Sequence, residues 1–168
     1  MTGLTRFAQS RLAWYLLGGS ALLLEATALF FQYVMHLNPC VMCVYQRVAV
    51  LGILLAGLLG SIAPKSMLRF PAYLLWIVSA GWGLMLATEL YNIQSDPSPF
   101  ATCDFMPNFP ESLPLHDWLP QVFMPTGMCT DDVWGMLGLS MTQWMQIAFS
   151  IYLIMAVVFL LPLFRKAK

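Results

Sequence analysis

Charge is scarce in this chain of 168 residues: charged side chains make up 10% of it, against 60% hydrophobic. A soluble domain carries about a quarter charged residues, so an ordinary water-soluble globule is excluded. Lysine and arginine are missing from the whole stretch between Arg69 and Arg165. No basic patch exists outside short connections, which leaves no footprint for nucleic acid. Histidine is limited to His36 and His116; neither has the spacing of a metal-ligating pair, and both read as ordinary polar residues.

What is abundant is long apolar sequence. Residues 12–34, 41–62, 70–90 and 145–164 each form a run able to cross about 30 Å of hydrocarbon as a helix. The expected fold is an all-α membrane protein, an antiparallel bundle of four transmembrane helices, with 1–168 as a single integral membrane domain. The first two connections, around 35–38 and 63–69, are short, which sets neighbours antiparallel. The third, roughly 91–144, is too long for a simple turn. The polar start with Arg6 and Arg11 resembles the front of a signal peptide, but the run after it is too long for a cleaved signal and has no small-x-small site. It is expected to stay as an anchor.

The basic residues orient the bundle. Arg6, Arg11, Lys65, Arg69, Arg165, Lys166 and Lys168, with Arg47, account for every Lys and Arg in the chain. Four spans bring the seven flanking ones to one side, which the positive-inside rule makes cytoplasmic. The long loop carries Asp96, Asp104, Glu111, Asp117, Asp131 and Asp132 instead, and faces outward. All four cysteines, Cys40, Cys43, Cys103 and Cys129, then lie on the oxidising side, where disulfides persist. The loop is rich in proline, which disfavours long helices. Within it, residues 113–123 mix aromatic, aliphatic and polar side chains, and read either as a short helix in the membrane interface or as an irregular loop on the bundle. Trp134 and Trp144 suit the interfacial aromatic belt.

The chemistry gathers at Asn38-Pro39-Cys40-Val41-Met42-Cys43. With Pro39 as the first helical residue, both thiols fall in the first turn, where free N–H groups and the helix dipole favour thiolate. Arg47 shares their helical face, roughly 10 Å deeper than Cys40 at about 1.5 Å per residue. A buried arginine either snorkels to the rim or steadies an anion such as a thiolate or a reduced quinone oxygen. A structural bridge between Cys40 and Cys43 would close almost no loop and stabilise little, so a reactive pair is the better reading. Cys103 and Cys129 could form a staple worth roughly 3–4 kcal/mol by loop entropy, or offer accessible thiols to another protein. All four thiols could in principle bind zinc, but rim thiols on the oxidising side fit disulfide exchange better. Glu25, midway along the first run, reads as a functional acid or as one end of an interhelical hydrogen bond. Glu89 reads as a solvated carboxylate at the outer end of the third.

The chain resembles the DsbB family of bacterial disulfide-forming membrane proteins along nearly its whole length. The residues that carry the likeness are Pro39-Cys40-Val41-Met42-Cys43 with Tyr45 and Arg47, Ala63-Pro64-Lys65, and the run from Pro97 to Phe105 around Cys103. Pro120-Gln121-Val122-Phe123, Gly138-Leu139 and Gln143-Trp144 add to it. Leu90 departs from it, standing where a well-known member has histidine. The resemblance implies a quinone-dependent protein-disulfide oxidoreductase of the inner membrane, with ubiquinone or menaquinone as cofactor. Its partner would be a periplasmic DsbA-like thioredoxin-fold protein, attacking a Cys103–Cys129 disulfide at Cys103. Electrons would pass to Cys40 and Cys43 and on to quinone, with Arg47 steadying the charge. A relay of this kind, from DsbA through DsbB to quinone, is what keeps the bacterial periplasm oxidising. Two other readings stand beside it: an enzyme of the vitamin K epoxide reductase type, and a non-enzymatic four-helix scaffold with a stapled loop.

Overall fold

A polypeptide in hydrocarbon must satisfy its backbone hydrogen bonds internally, and a helix does so within one segment. The computed structural model describes residues 2–62, 64, 66–95, 103–104, 106–130 and 134–164. Lys65, Arg165, Lys166, Lys168, Asp96, Asp131, Asp132 and most of the run from Pro97 to Phe105 lie outside them. Among the described residues, four helices are long and apolar enough to cross a membrane. A short α1 (Thr2–Ala8) precedes α2 (Arg11–Tyr33), which is followed by α3 (Val41–Ile62) and α4 (Arg69–Ser95). The loop holds α5 (Leu115–Trp118), α6 (Pro120–Phe123) and a hairpin of β1 (Gly135–Met136) with β2 (Leu139–Ser140), and α7 (Met141–Phe164) ends the order.

The four long helices pack in sequence order, α2 on α3, α3 on α4 and α4 on α7. Close approach of α2 and α3 is built from glycine: a Cβ on Gly57 would run into the backbone of Gly18. Small residues at such crossings let backbones approach where lipid offers no hydrophobic drive. Ala21, Val50, Ile53, Ala80 and Phe149 fill the centre. Trp14 meets Trp76 edge-on at 6.3 Å, and the Tyr73 hydroxyl donates to the Ala156 carbonyl at 2.9 Å. Ser20 and Tyr152 join α2 to α7 at 3.0 Å.

Three expectations change. First, α3 begins at Val41 rather than Pro39. Were Pro39 helical, its carbonyl would receive the Cys43 amide. That carbonyl instead accepts the amides of Thr126 at 2.9 Å and Gly127 at 3.0 Å. Second, α4 continues to Ser95 and α7 starts at Met141, each about one turn beyond its apolar run. The tie is polar: the Thr142 hydroxyl donates to Gln94 Oε1 at 2.6 Å. Glu89 is exposed, but it lies inside α4 rather than at its end. Third, α1 and the hairpin carry no apolar run and escape a reading based on hydropathy. α1 packs on α7, with Phe7 and Phe159 ring centres 6.0 Å apart.

Candidate functional site

Cys40 is the residue that caps α3. Its carbonyl receives the first helical amide, from Val44, at 3.0 Å, and its sulfur accepts the Cys43 amide at 3.3 Å. The Cys40 and Cys43 sulfurs lie 2.8 Å apart. The thiols therefore do not share the first turn: Cys43 is inside it, and Cys40 sits in front of it, 3% exposed. The Cys40 thiol is pushed up from its ordinary pKa, first by the hydrogen bond it shares with Cys43 and then by burial. A helix end by itself favours thiolate at both positions; at Cys40, the neighbouring sulfur and burial outweigh it.

Cys103 and Cys129 are joined as a disulfide, which removes both thiols from any four-thiolate zinc set. Cys129 is 1% exposed and packs with Cys40, Leu90 and Ile93, while Cys43 and Cys103 border the same cluster. All four cysteines thus meet at the outer end of the bundle. Leu90 makes that wall apolar. Exposure is graded, with Cys103 half-buried and Cys129 and Cys40 sealed beneath it.

The loop is fastened beside this cluster by backbone carbonyls. Within residues 113–123 the chain is helical only from Leu115 and is broken: α5 and α6 meet at Leu119, because Pro120 opens the second. Phe123 is buried, whereas Trp118 and Leu119 are exposed. Tyr33 donates its hydroxyl to the Gln121 carbonyl at 2.7 Å, and Gln32 Nε2 donates to the same oxygen at 3.1 Å. Arg47 Nη1 donates to Gln32 Oε1 at 2.6 Å and to the Val122 carbonyl at 2.7 Å. Arg47 is 6% exposed; snorkelling does not describe it. Nearer the thiols, Gly127 passes so close to Asn38 that any Cβ would strike the Asn38 carbonyl oxygen. Tyr45 holds the other limb, accepting the Asn108 amide at 2.7 Å and meeting Phe109 edge-on at 5.6 Å.

Behind the thiols lies a cavity of about 410 Å³, bounded by α2, α3, α7 and the outer end of α4. Cys40, Cys43, Arg47, Gln46 and Glu25 line it, with Phe31, Trp134 and Trp144 among its apolar walls. Trp134 packs on Phe31 at 4.8 Å, and Trp144 Nε1 donates to the Met136 carbonyl at 3.2 Å. The belt tryptophans are therefore cavity walls. Glu25 is 6% exposed and neither of its oxygens has a hydrogen-bond partner, so it is not one end of an interhelical bond. Gln46 Nε2 is likewise buried without a partner. Gln46 is the residue that sequence reasoning missed; a polar side chain in a membrane helix next to Arg47 was the available signal.

Known proteins share this arrangement of sequence. The family model described as "Disulfide bond formation protein DsbB" matches residues 10–159. A disulfide bond formation protein B of Shewanella loihica is 61% identical over 169 residues, spanning 100% of this chain and 99% of that protein. One from Shewanella amazonensis is 54% identical, with 99% of each chain covered. Another, from Psychromonas ingrahamii, is 52% identical over 100% of this chain and 91% of its own.

Proposed function

The chain belongs to the DsbB family of disulfide bond formation proteins, and from that premise we propose a residue-by-residue route for its electrons. As a family member it is a quinone-linked thiol–disulfide oxidoreductase that reoxidises a DsbA-like periplasmic partner. It is a multi-pass protein of the inner membrane with its redox loops in the periplasm. We take residues 1–168 as one integral membrane domain. In the proposed route the reduced partner attacks Cys103, Cys129 is released and attacks Cys40, and Cys43 is left facing the cavity. The observation that carries this order is the graded exposure of one cysteine cluster. Cys103 is the half-buried member of its pair, and Cys129 is sealed against Cys40. A thiolate can attack only a sulfur it can reach.

The cavity fits a quinone ring. Its volume is in the range of small-ligand sites, mostly apolar with a few convergent polar groups. The unpartnered Gln46 Nε2 and the Arg47 guanidinium supply donors for ring oxygens, and Cys43 lies in the same wall. When bound, the quinone supplies a two-electron acceptor soluble in the bilayer. This chain's residues do the rest: Arg47 and Gln46 orient it, Cys43 presents its sulfur, and the fastened loop keeps water out.

The test is non-reducing electrophoresis with a partner that lacks its own resolving cysteine. Cys129→Ser should accumulate a partner adduct on Cys103, Cys103→Ser should accumulate none, and Cys43→Ser should stop quinone reduction downstream. Equal adducts on Cys103→Ser and Cys129→Ser would make the loop pair interchangeable and overturn the order.

A further inference from the structure

Glu25 lines the cavity, yet the electron route gives it nothing to do. It projects from α2 on the face that buries Gly18 and Ala21, opposite the thiols on α3. Its two carboxyl oxygens are buried without a hydrogen-bond partner. Among the described residues no ion pair ties it to Arg47, whose Nη1 is committed to Gln32 and Val122. An ionised carboxylate so placed would forfeit several kcal/mol of hydration, whereas the neutral acid loses far less. Burial without a partner favours the neutral acid there, and the positive charge of Arg47 in the same cavity opposes it. Glu25 is also the only carboxyl group among the described residues lining this cavity.

The reaction on the other wall needs such a group. Closing the Cys40–Cys43 bond releases two electrons and two protons from the dithiol, and a quinone takes up two of each to become a quinol. The electrons have a short path, but the protons must travel from sulfur to ring oxygens through apolar walls. We propose that Glu25 is a catalytic residue of quinone reduction, its carboxyl group hydrogen-bonding one quinone oxygen and giving it a proton. The carboxylate left behind is reprotonated by a proton from the dithiol. No proton is gained or lost overall: the two that leave sulfur equal the two that arrive on oxygen. This inference rests on the function proposed above. An unpartnered acid donor facing a carbonyl acceptor also helps to hold the ring, so binding and turnover must be measured separately.

The experiment uses full-length protein in detergent, stripped of quinone and reloaded with decylubiquinone, in wild-type, Glu25→Gln and Glu25→Asp forms. Infrared difference spectra of the oxidised protein, with and without decylubiquinone, should show a shifted band of a protonated carboxyl group that Glu25→Gln lacks. Glu25→Gln keeps an amide donor, so its equilibrium affinity for decylubiquinone should stay within about threefold of wild type. Its kcat for quinone reduction by a reduced thioredoxin-fold dithiol should fall about a hundredfold, the usual scale of a lost general acid. Glu25→Asp, which keeps an acid with shorter reach, should fall between the two. A Glu25→Gln kcat within about twofold of wild type overturns the inference, as does loss of affinity with kcat kept at saturation. A wild-type carboxyl band that ignores decylubiquinone overturns it too, even if the Gln variant fails to fold. Wild-type protein that passes no electrons to decylubiquinone would overturn the function itself, which separates the two failures.

Discussion

Cys40 resists ionising although it stands in front of α3, where the helix end favours thiolate. The shared hydrogen bond with Cys43 and then burial both push its pKa up, so its thiol form persists through the ordinary range of about 8.5 for cysteine. The sign of the pH effect follows. In reduced protein, labelling of Cys40 by iodoacetamide should keep climbing as pH rises past about 8.5 instead of levelling off there. Peptide mass spectrometry of samples quenched along a pH series measures this. A labelling curve that flattens near the ordinary thiol value would show that the neighbour and the burial have no hold on Cys40.

Among the elements, the turn from α2 into α3 and the limb that carries Cys129 behave as one clasp. Pro39 gives its carbonyl to Thr126 and Gly127, and Gly127 lies against Asn38 without room for a side chain. Gly127→Ala should therefore push the two limbs apart and carry Cys129 away from Cys40. The expected outcome is a loss of about tenfold or more in thiol transfer between the pairs, since misplacement by about 1 Å can cost a hundredfold. Partner attack at Cys103 should change little. Stopped-flow mixing of reduced partner with the oxidised variant separates these steps, and unaltered transfer to Cys40 would count against the clasp. The four long helices were legible because lipid leaves an apolar run of that length one solution. The C-x-x-C face with Arg47 was legible for a similar reason, since thiols and a cation are rare at such depth. The clasp was not legible, because its acceptors are main-chain carbonyls at Pro39, Gln121 and Val122, which every sequence contains. The hairpin escaped for want of a signal: its turn puts Leu137 at φ 58° and Gly138 at φ 80°, where asparagine before glycine is the usual mark.

At the scale of the whole molecule, α2 and α7 are the two least buried of the membrane helices, with 22% of each span inside the bundle against 50% and 44% for α3 and α4. They also bound a second, smaller apolar cavity below the first, the two flanking the Ser20–Tyr152 contact. The ring of helices is thus tight on three sides and loose on the fourth. Ala148 on α7 lines the upper cavity, and Ala148→Trp should fill it. The variant should lose most of its affinity for decylubiquinone, by about tenfold or more, while Cys103 still forms an adduct with the partner. Equilibrium binding and electrophoresis on the same preparation check both halves. Full affinity in Ala148→Trp would place the ring elsewhere.

One guanidinium serves both the cavity and the loop, and that has a thermodynamic corollary. Arg47 borders the chamber behind Cys43 and also grips the Val122 carbonyl of the outer loop. An occupant that draws Nη1 toward itself slackens that grip, and one that leaves it in place reinforces the docked loop. In either case the effect is reciprocal: whatever factor the chamber's occupant imposes on the loop, the loop imposes on the occupant's affinity. Where a periplasmic protein lifts the Val122 carbonyl from Arg47, the chamber's hold on its occupant changes by that same factor.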